Sequence, residues 1–83
     1  MFTVYILYSE AFHKIYVGYT SNLSQRFISH NELATKGWTI KFRPWKIVYT
    51  EIFKTKARAI QREKQLKSAK AREWIWQLIE GLS

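Results

Sequence analysis

Residues 2–8, Phe-Thr-Val-Tyr-Ile-Leu-Tyr, form an unbroken run of β-branched and aromatic side chains, which predicts a strand. Residues 14–20, Lys-Ile-Tyr-Val-Gly-Tyr-Thr, predict a second. The link Ser9–His13 is short, so the two are expected to pair as an antiparallel hairpin. The period-2 rule puts Thr3, Tyr5 and Leu7 on one face of the first strand, and Lys14, Tyr16 and Gly18 on one face of the second. If pairing joins those faces, Tyr5 and Tyr16 become neighbours.

The period then changes. Leu23, Arg26, Phe27 and His30 recur at i, i+3, i+4, i+7 and predict a helix, with Ser21 or Asn22 as its cap. A guanidinium on that stripe must be paired or open onto a cleft, because burying it alone is costly. Residues 31–44 read as a long connection, and Trp45–Phe53 as a third strand. A second helix is expected over 55–68, with Ala59, Ile60 and Leu66 on its apolar arc. Glu63 falls near the centre of that arc and Lys67 toward one margin, while Arg58, Gln61, Arg62 and Gln65 fall on the wet side. A last helix over 71–80 carries a core stripe of Ala71, Trp74, Ile75, Leu78 and Leu82, ended by Gly81. Trp76 lies off that stripe and is expected in solvent. The element order is β-β-α-β-α-α, an α+β arrangement.

Eighty-three residues fit one domain, 1–83, with a modest core. The chain lacks cysteine and aspartate, which excludes a disulfide frame, a thiolate zinc site and most all-protein metal cages. No apolar run is long enough to span a bilayer, and Met1–Tyr8 does not read as a signal peptide, so a cytoplasmic location is expected.

Charge sharpens the picture. The net charge is +8, and it is unevenly placed: residues 36–72 hold twelve Lys and Arg against Glu51 and Glu63 alone. Such a belt attracts polyanions through release of their counterions. Lys36, Trp38, Lys41, Phe42 and Arg43 interleave cations with aromatics, a composition suited to phosphate contact with base stacking, or to a loop that covers the core. Glu63 is a lone inward carboxylate in a lysine-rich helix. It is either the partner of Arg26 or a lysine, or a ligand for a hard divalent cation.

Two strand tyrosines, an arginine with a histidine one turn on, and a glutamate on a distant helix together resemble the GIY-YIG nuclease family. Thr3-Val4-Tyr5 stands at the first triplet of the family's name motif and Tyr16-Val17-Gly18 at the second; Arg26, His30 and Glu63 follow in order. The segments Arg43–Tyr49 and Arg62–Ser68 look like the small stand-alone bacterial members, which are similar to the nuclease domain of an excision-repair endonuclease. The chain departs from the pattern at Thr3, in place of a glycine, at Tyr19, and in having no asparagine after Glu63.

The resemblance spans roughly residues 2–80. It implies a three-stranded antiparallel sheet flanked by about three helices. It also implies a DNA endonuclease of repair or recombination that uses Mg²⁺ or Mn²⁺ on Glu63. Arg26 would grip the scissile phosphate. Tyr16 would be the water-activating base, with His30 as the other candidate or as a phosphate or proton partner, and Tyr5 would orient them. Lys14, Lys36, Lys41, Arg43 and Lys67 are the expected nucleic-acid contacts. DNA is favoured over RNA by the resemblance alone, and a monomer or weak homodimer is expected. The alternative is a catalytically impaired nucleic-acid-binding module.

Overall fold

The computed structural model describes residues 1–82; Ser83, at the end of the expected domain, lies outside them. Strands β1 (Phe2–Ser9) and β2 (Lys14–Thr20) pair antiparallel, and β3 (Lys46–Phe53) joins the other edge of β1, giving the order β2-β1-β3. Helix α1 (Leu23–Ile28) runs directly into a π-helical turn, Ser29–Leu33. A 3₁₀ turn, Trp38–Phe42, lies between that turn and β3. Helices α2 (Lys56–Leu66) and α3 (Ala69–Gly81) follow. The expected α+β order and the antiparallel sheet are both present.

The central position of β1 follows from its composition. Val4, Tyr5, Ile6 and Leu7 are all essentially buried, as a strand covered on both faces requires. Alternation divides them. Val4 and Ile6 pack with Val17, Ala59, Leu66, Ile75 and Ile79 under α2 and α3. Tyr5 and Leu7 pack with Trp45, Tyr16, Leu23, Phe27 and Phe42 under α1 and the connection. Each aliphatic side chain so buried contributes about 1.5–3 kcal/mol. The β1–β3 ladder shifts register between Ile6, opposite Tyr49, and Leu7, opposite Ile47. That bulge absorbs Val48 and bends the edge strand.

Asn22, one of the two caps expected for α1, fills that role, and Thr55 and Ser68 do the same for α2 and α3. The Asn22, Thr55 and Ser68 side chains accept from the backbone N–H groups of Gln25, Arg58 and Ala71.

The long connection expected over 31–44 is present, and the end of the π turn and the 3₁₀ turn order it. Three expectations are corrected. Helix α3 is rotated relative to its expected stripe, with Ile75 and Ile79 innermost; Trp74 is partly exposed at its margin and Leu82 is 60% exposed. Trp76 is half-buried instead of solvated. Its indole stacks on the His13 ring at 4.4 Å and meets the edge of Tyr8 at 5.9 Å. His13 reaches it because the hairpin turn puts that residue at φ 54°. Arg62 also leaves the wet side. Its Nε donates to Glu51 Oε2 at 2.9 Å, and Tyr49 Oη donates to the same oxygen at 3.0 Å, which ties α2 to β3. Among the described residues no helix is long and apolar enough to cross a membrane.

Candidate active site

The hairpin places the two tyrosines. Gly18 lies directly opposite Tyr5, and Tyr16 opposite Leu7, so Tyr16 is the diagonal neighbour of Tyr5 on the same face. Their ring centroids are 6.3 Å apart. The missing side chain at Gly18 matters, because a Cβ there would stand 2.6 Å from the Tyr5 hydroxyl oxygen and 2.8 Å from Cζ. The glycine makes the space over which the Tyr5 ring lies.

Helix α1 brings Arg26 to this pair, and α2 brings Glu63 from the other side. Tyr5, Tyr16, Gly18, Tyr19, Thr20, Arg26 and Glu63 line one open cleft of about 410 Å³. Four of the five expected catalytic side chains therefore meet in one hollow although they come from four elements. Arg26 is exposed on its helix and opens onto this cleft, which removes the cost of burying it.

His30, the fifth, sits behind the cleft. It is 5% exposed, on the π turn, with both ring nitrogens engaged. Nε2 is 2.9 Å from the Tyr5 hydroxyl and Nδ1 is 3.0 Å from Thr39 Oγ1. Burial, followed by the positive fields of Arg26 and Arg43, lowers the His30 pKa and favours the neutral ring. The adjacent Arg26 guanidinium can only donate to the Tyr5 oxygen, so we assign the Tyr5 proton to His30 Nε2. His30 Nδ1–H then donates to Thr39. Burial pushes the Tyr5 phenol up to about 12, against the lowering effect of Arg26. The same contact with Tyr5 raises the Arg26 pKa further, so the guanidinium stays charged.

Glu63 pairs with Lys67 one turn along α2, Nζ to Oε1 at 3.3 Å. The Glu63 side chain is well covered, at 17% exposure, whereas the Lys67 side chain is at 54%. Among the described residues no group of three or more His, Cys, Asp or Glu is placed to hold a metal. A single carboxylate facing an open polar cleft still suits Mg²⁺, which retains several waters and draws other ligands from substrate phosphate. The residues present therefore fit that ion with Glu63 as its protein ligand.

The expected basic contacts divide. Lys14, Lys36 and Lys41 are exposed. Arg43 is committed elsewhere: its guanidinium donates to the carbonyls of His30, Ser29 and Ala34 at 2.6, 3.1 and 2.8 Å. It holds the π turn that carries His30 and has no fork left for a phosphate. Sequence reasoning missed Thr39 and Asn31. Thr39 is buried against His30, and the Asn31 side chain exchanges two hydrogen bonds with the Trp45 backbone. Neither carries a sequence signal, since each partner is distant in the chain or set by the turn.

Sheet order, cleft and constellation together define a class. The chain belongs to the GIY-YIG family: the family model described as the GIY-YIG catalytic domain matches residues 1–77. Within that class it is similar to proteins named UPF0213. The UPF0213 protein SSP2268 of Staphylococcus saprophyticus is 33% identical over 67 residues, covering 81% of this chain and 82% of that protein. The UPF0213 protein NP_0776A of Natronomonas pharaonis is 38% identical over 65 residues, covering 78% and 75%. The solution NMR structure of the UPF0213 protein BH0048 from Bacillus halodurans superposes with a TM-score of 0.55 at 28% identity, covering 94% of this chain and 85% of that one.

Proposed function

We propose that this protein is a divalent-metal-dependent DNA endonuclease that leaves 5′-phosphate and 3′-hydroxyl ends, acting on intermediates of repair or recombination. The observation that carries the reading is the convergence of Tyr5, Tyr16, Arg26 and Glu63 on one cleft. That set matches the needs of phosphodiester hydrolysis: a proton acceptor for water, a cation for the phosphoryl oxygens, and a carboxylate for a metal.

Arg26 donates its planar fork to the non-bridging oxygens of the scissile phosphate, a bidentate grip that lysine cannot copy. Acting as the base requires Tyr16 to have released its own phenol proton to solvent, after which its oxygen takes the proton of the attacking water. Tyr5 keeps its own proton, as its raised pKa requires, and its oxygen steadies Arg26. Buried His30 fixes the Tyr5 hydroxyl and is a positioning residue, because both of its nitrogens are already engaged. Glu63 holds Mg²⁺ or Mn²⁺, which when bound supplies Lewis-acid stabilisation of the phosphoryl and leaving oxygens. Lys14, Lys36, Lys41 and Lys67 contact flanking phosphates.

The test is incubation with nicked, branched and supercoiled DNA, and with RNA in parallel, in Mg²⁺ or Mn²⁺. The parent is expected to cut DNA, with Glu63→Gln and Arg26→Ala each slower by about 10²–10³-fold. No cleavage by the parent, or equal cleavage by the variants, overturns the proposal. One observation favours a second reading, a binding module without catalysis: Lys67 already occupies the Glu63 carboxylate. That reading requires DNA binding indifferent to EDTA and no cut under any metal.

A further inference from the structure

The cleft continues outward into an aromatic ledge that hydrolysis itself does not need. Trp38 opens the 3₁₀ turn and lies near-parallel to Tyr16, with centroids 6.4 Å apart and planes at 27°. Its ring packs on Phe42 at 4.7 Å and on Trp45 at 5.8 Å. Phe12, from the hairpin turn, meets Phe42 edge-on at 5.6 Å, and the Lys14 ammonium stands 5.6 Å above the Phe42 ring. Buried Trp45 anchors the group, with its indole N–H donating to the Thr39 carbonyl at 2.8 Å. Yet the outer rings are left in water: Trp38 is 47% exposed and Phe12 50%.

Exposed aromatics of this size ordinarily mark a contact surface. The surrounding charge selects the partner. Exposed Lys36 just before the 3₁₀ turn, exposed Lys41 within it and Lys14 over the Phe42 ring are the cations of this ledge, whereas Arg43 is spent on the π-turn carbonyls and Lys46 pairs with Glu10 at 3.4 Å. A flat π-surface with cations beside it fits a ligand that is both planar and anionic, which a nucleotide is. A duplex does not present that face, because its bases are stacked on one another and show only their edges.

We infer that Trp38, backed by Phe42 and flanked by Phe12 and Lys14, is a stacking platform for an unpaired nucleobase adjoining the scissile phosphate, so that the preferred substrate is DNA with an unpaired nucleotide there. This deepens the nuclease reading and rests on it for the position of the phosphate. Stacking is sequence-tolerant, because every base has a π-face. Selection is therefore for an unpaired strand and not for a base sequence.

The test is binding in EDTA, where no cleavage intervenes, at fixed moderate salt. The probes are a fluorescent single-stranded 12-mer, the same 12-mer carrying abasic sites, and its duplex. The parent is expected to bind the single strand more tightly than the duplex. Trp38→Ala should weaken single-strand binding about 5- to 150-fold and change duplex binding less than about twofold. Trp38→Phe should retain most of the preference. The abasic probe should bind the parent more weakly than the intact strand, and the loss should vanish in Trp38→Ala. That arm alters only the DNA, so it reads stacking even if the Trp38→Ala variant is destabilised.

Equal or weaker binding of the single strand by the parent overturns the inference, as does no response to abasic sites. Parallel losses on all probes in Trp38→Ala overturn it too. Cleavage in Mg²⁺ is scored separately: a parent that stacks but never cuts refutes the nuclease, and one that cuts but prefers duplex refutes the platform.

Discussion

Gly18 lies directly across the hairpin from Tyr5, and the tyrosine ring fills the space that any other residue's Cβ would need. Tyr5 is 1% exposed and held by His30, so it cannot swing aside cheaply. Gly18→Ala should destabilise the protein by about 1–3 kcal/mol, as overpacking of a filled core does. The loss should shrink in a Tyr5→Leu background, since the two residues share one space and their effects cannot add. Urea midpoints of the four proteins measure this coupling, and additive effects would contradict the contact.

Tyr5→Phe leaves the ring and removes the hydroxyl. His30 Nε2 is then buried with no partner, at a cost of about 1–3 kcal/mol. Cleavage should fall with little change in DNA affinity, because Arg26 keeps its charge and loses only its steadying oxygen. A lower rate with a tenfold weaker binding constant would place Tyr5 in substrate contact instead.

How much of this was legible in the chain follows from where each partner lies. The strands were readable to within a residue or so because alternation and β-branching are local. Helices α2 and α3 were readable as helices because apolar spacing is local, but the inner face of α3 was not, because Ile79 and not Leu82 packs with Val4 and Ile6. The π turn and the 3₁₀ turn were not, because their stability comes from Arg43 and from Asn31 clasping the Trp45 backbone, contacts that join segments ten or more residues apart. Arg62 and Trp76 were misplaced for the same reason: Glu51 and His13, which draw them inward, belong to other elements. At the site, periodicity put Tyr5 and Tyr16 side by side and Glu63 inward. That Arg26 and Glu63 share a cleft with them was implied by family resemblance, because no spacing rule links α1 to α2.

The neutral His30 ring makes stability depend on pH. Its folded pKa lies below the ordinary value of ~6.5, so between the two the unfolded chain binds the extra proton. Unfolding free energy therefore rises with pH across that window. The contribution is complete above about pH 6.5 and is lost as pH falls through the folded pKa. The parent should lose stability from pH 7 to pH 5, and His30→Gln should show a flatter profile over the same range. Urea titrations at half-unit steps decide it, and identical slopes would mean that His30 is not held neutral.

Arg43 separates a structural arginine from a nucleic-acid contact. Arg43→Ala takes this donor from the His30 and Ala34 carbonyls and leaves the Ser29 carbonyl only its bond from the Ala34 N–H, and should cost about 2–4 kcal/mol, given that charged hydrogen bonds count roughly double and are not additive. Arg43→Lys should recover only part, since one ammonium cannot serve three divergent acceptors. DNA binding by the folded variants should keep the parent's salt slope. A slope reduced by about one unit would return Arg43 to the phosphate contacts.

Lys67 competes for the carboxylate assigned to the metal. Its side chain is half-exposed, and an i,i+4 pair of this kind contributes only about 0.3–0.5 kcal/mol, which is little for a divalent cation to displace. Replacing it with an uncharged chain of similar length leaves the α2 surface covered and frees Glu63. Lys67→Met should therefore lower the Mg²⁺ concentration that gives half-maximal cleavage by a few fold. Its affinity for DNA in EDTA should fall slightly, because one phosphate-facing charge is gone. The paired measurement is a Mg²⁺ titration of cleavage and a metal-free binding isotherm on the same variant. An unchanged Mg²⁺ midpoint in Lys67→Met, with Glu63→Gln inactive, would show that the cation does not share the oxygen Lys67 holds. A raised midpoint would mean that the lysine assists metal loading.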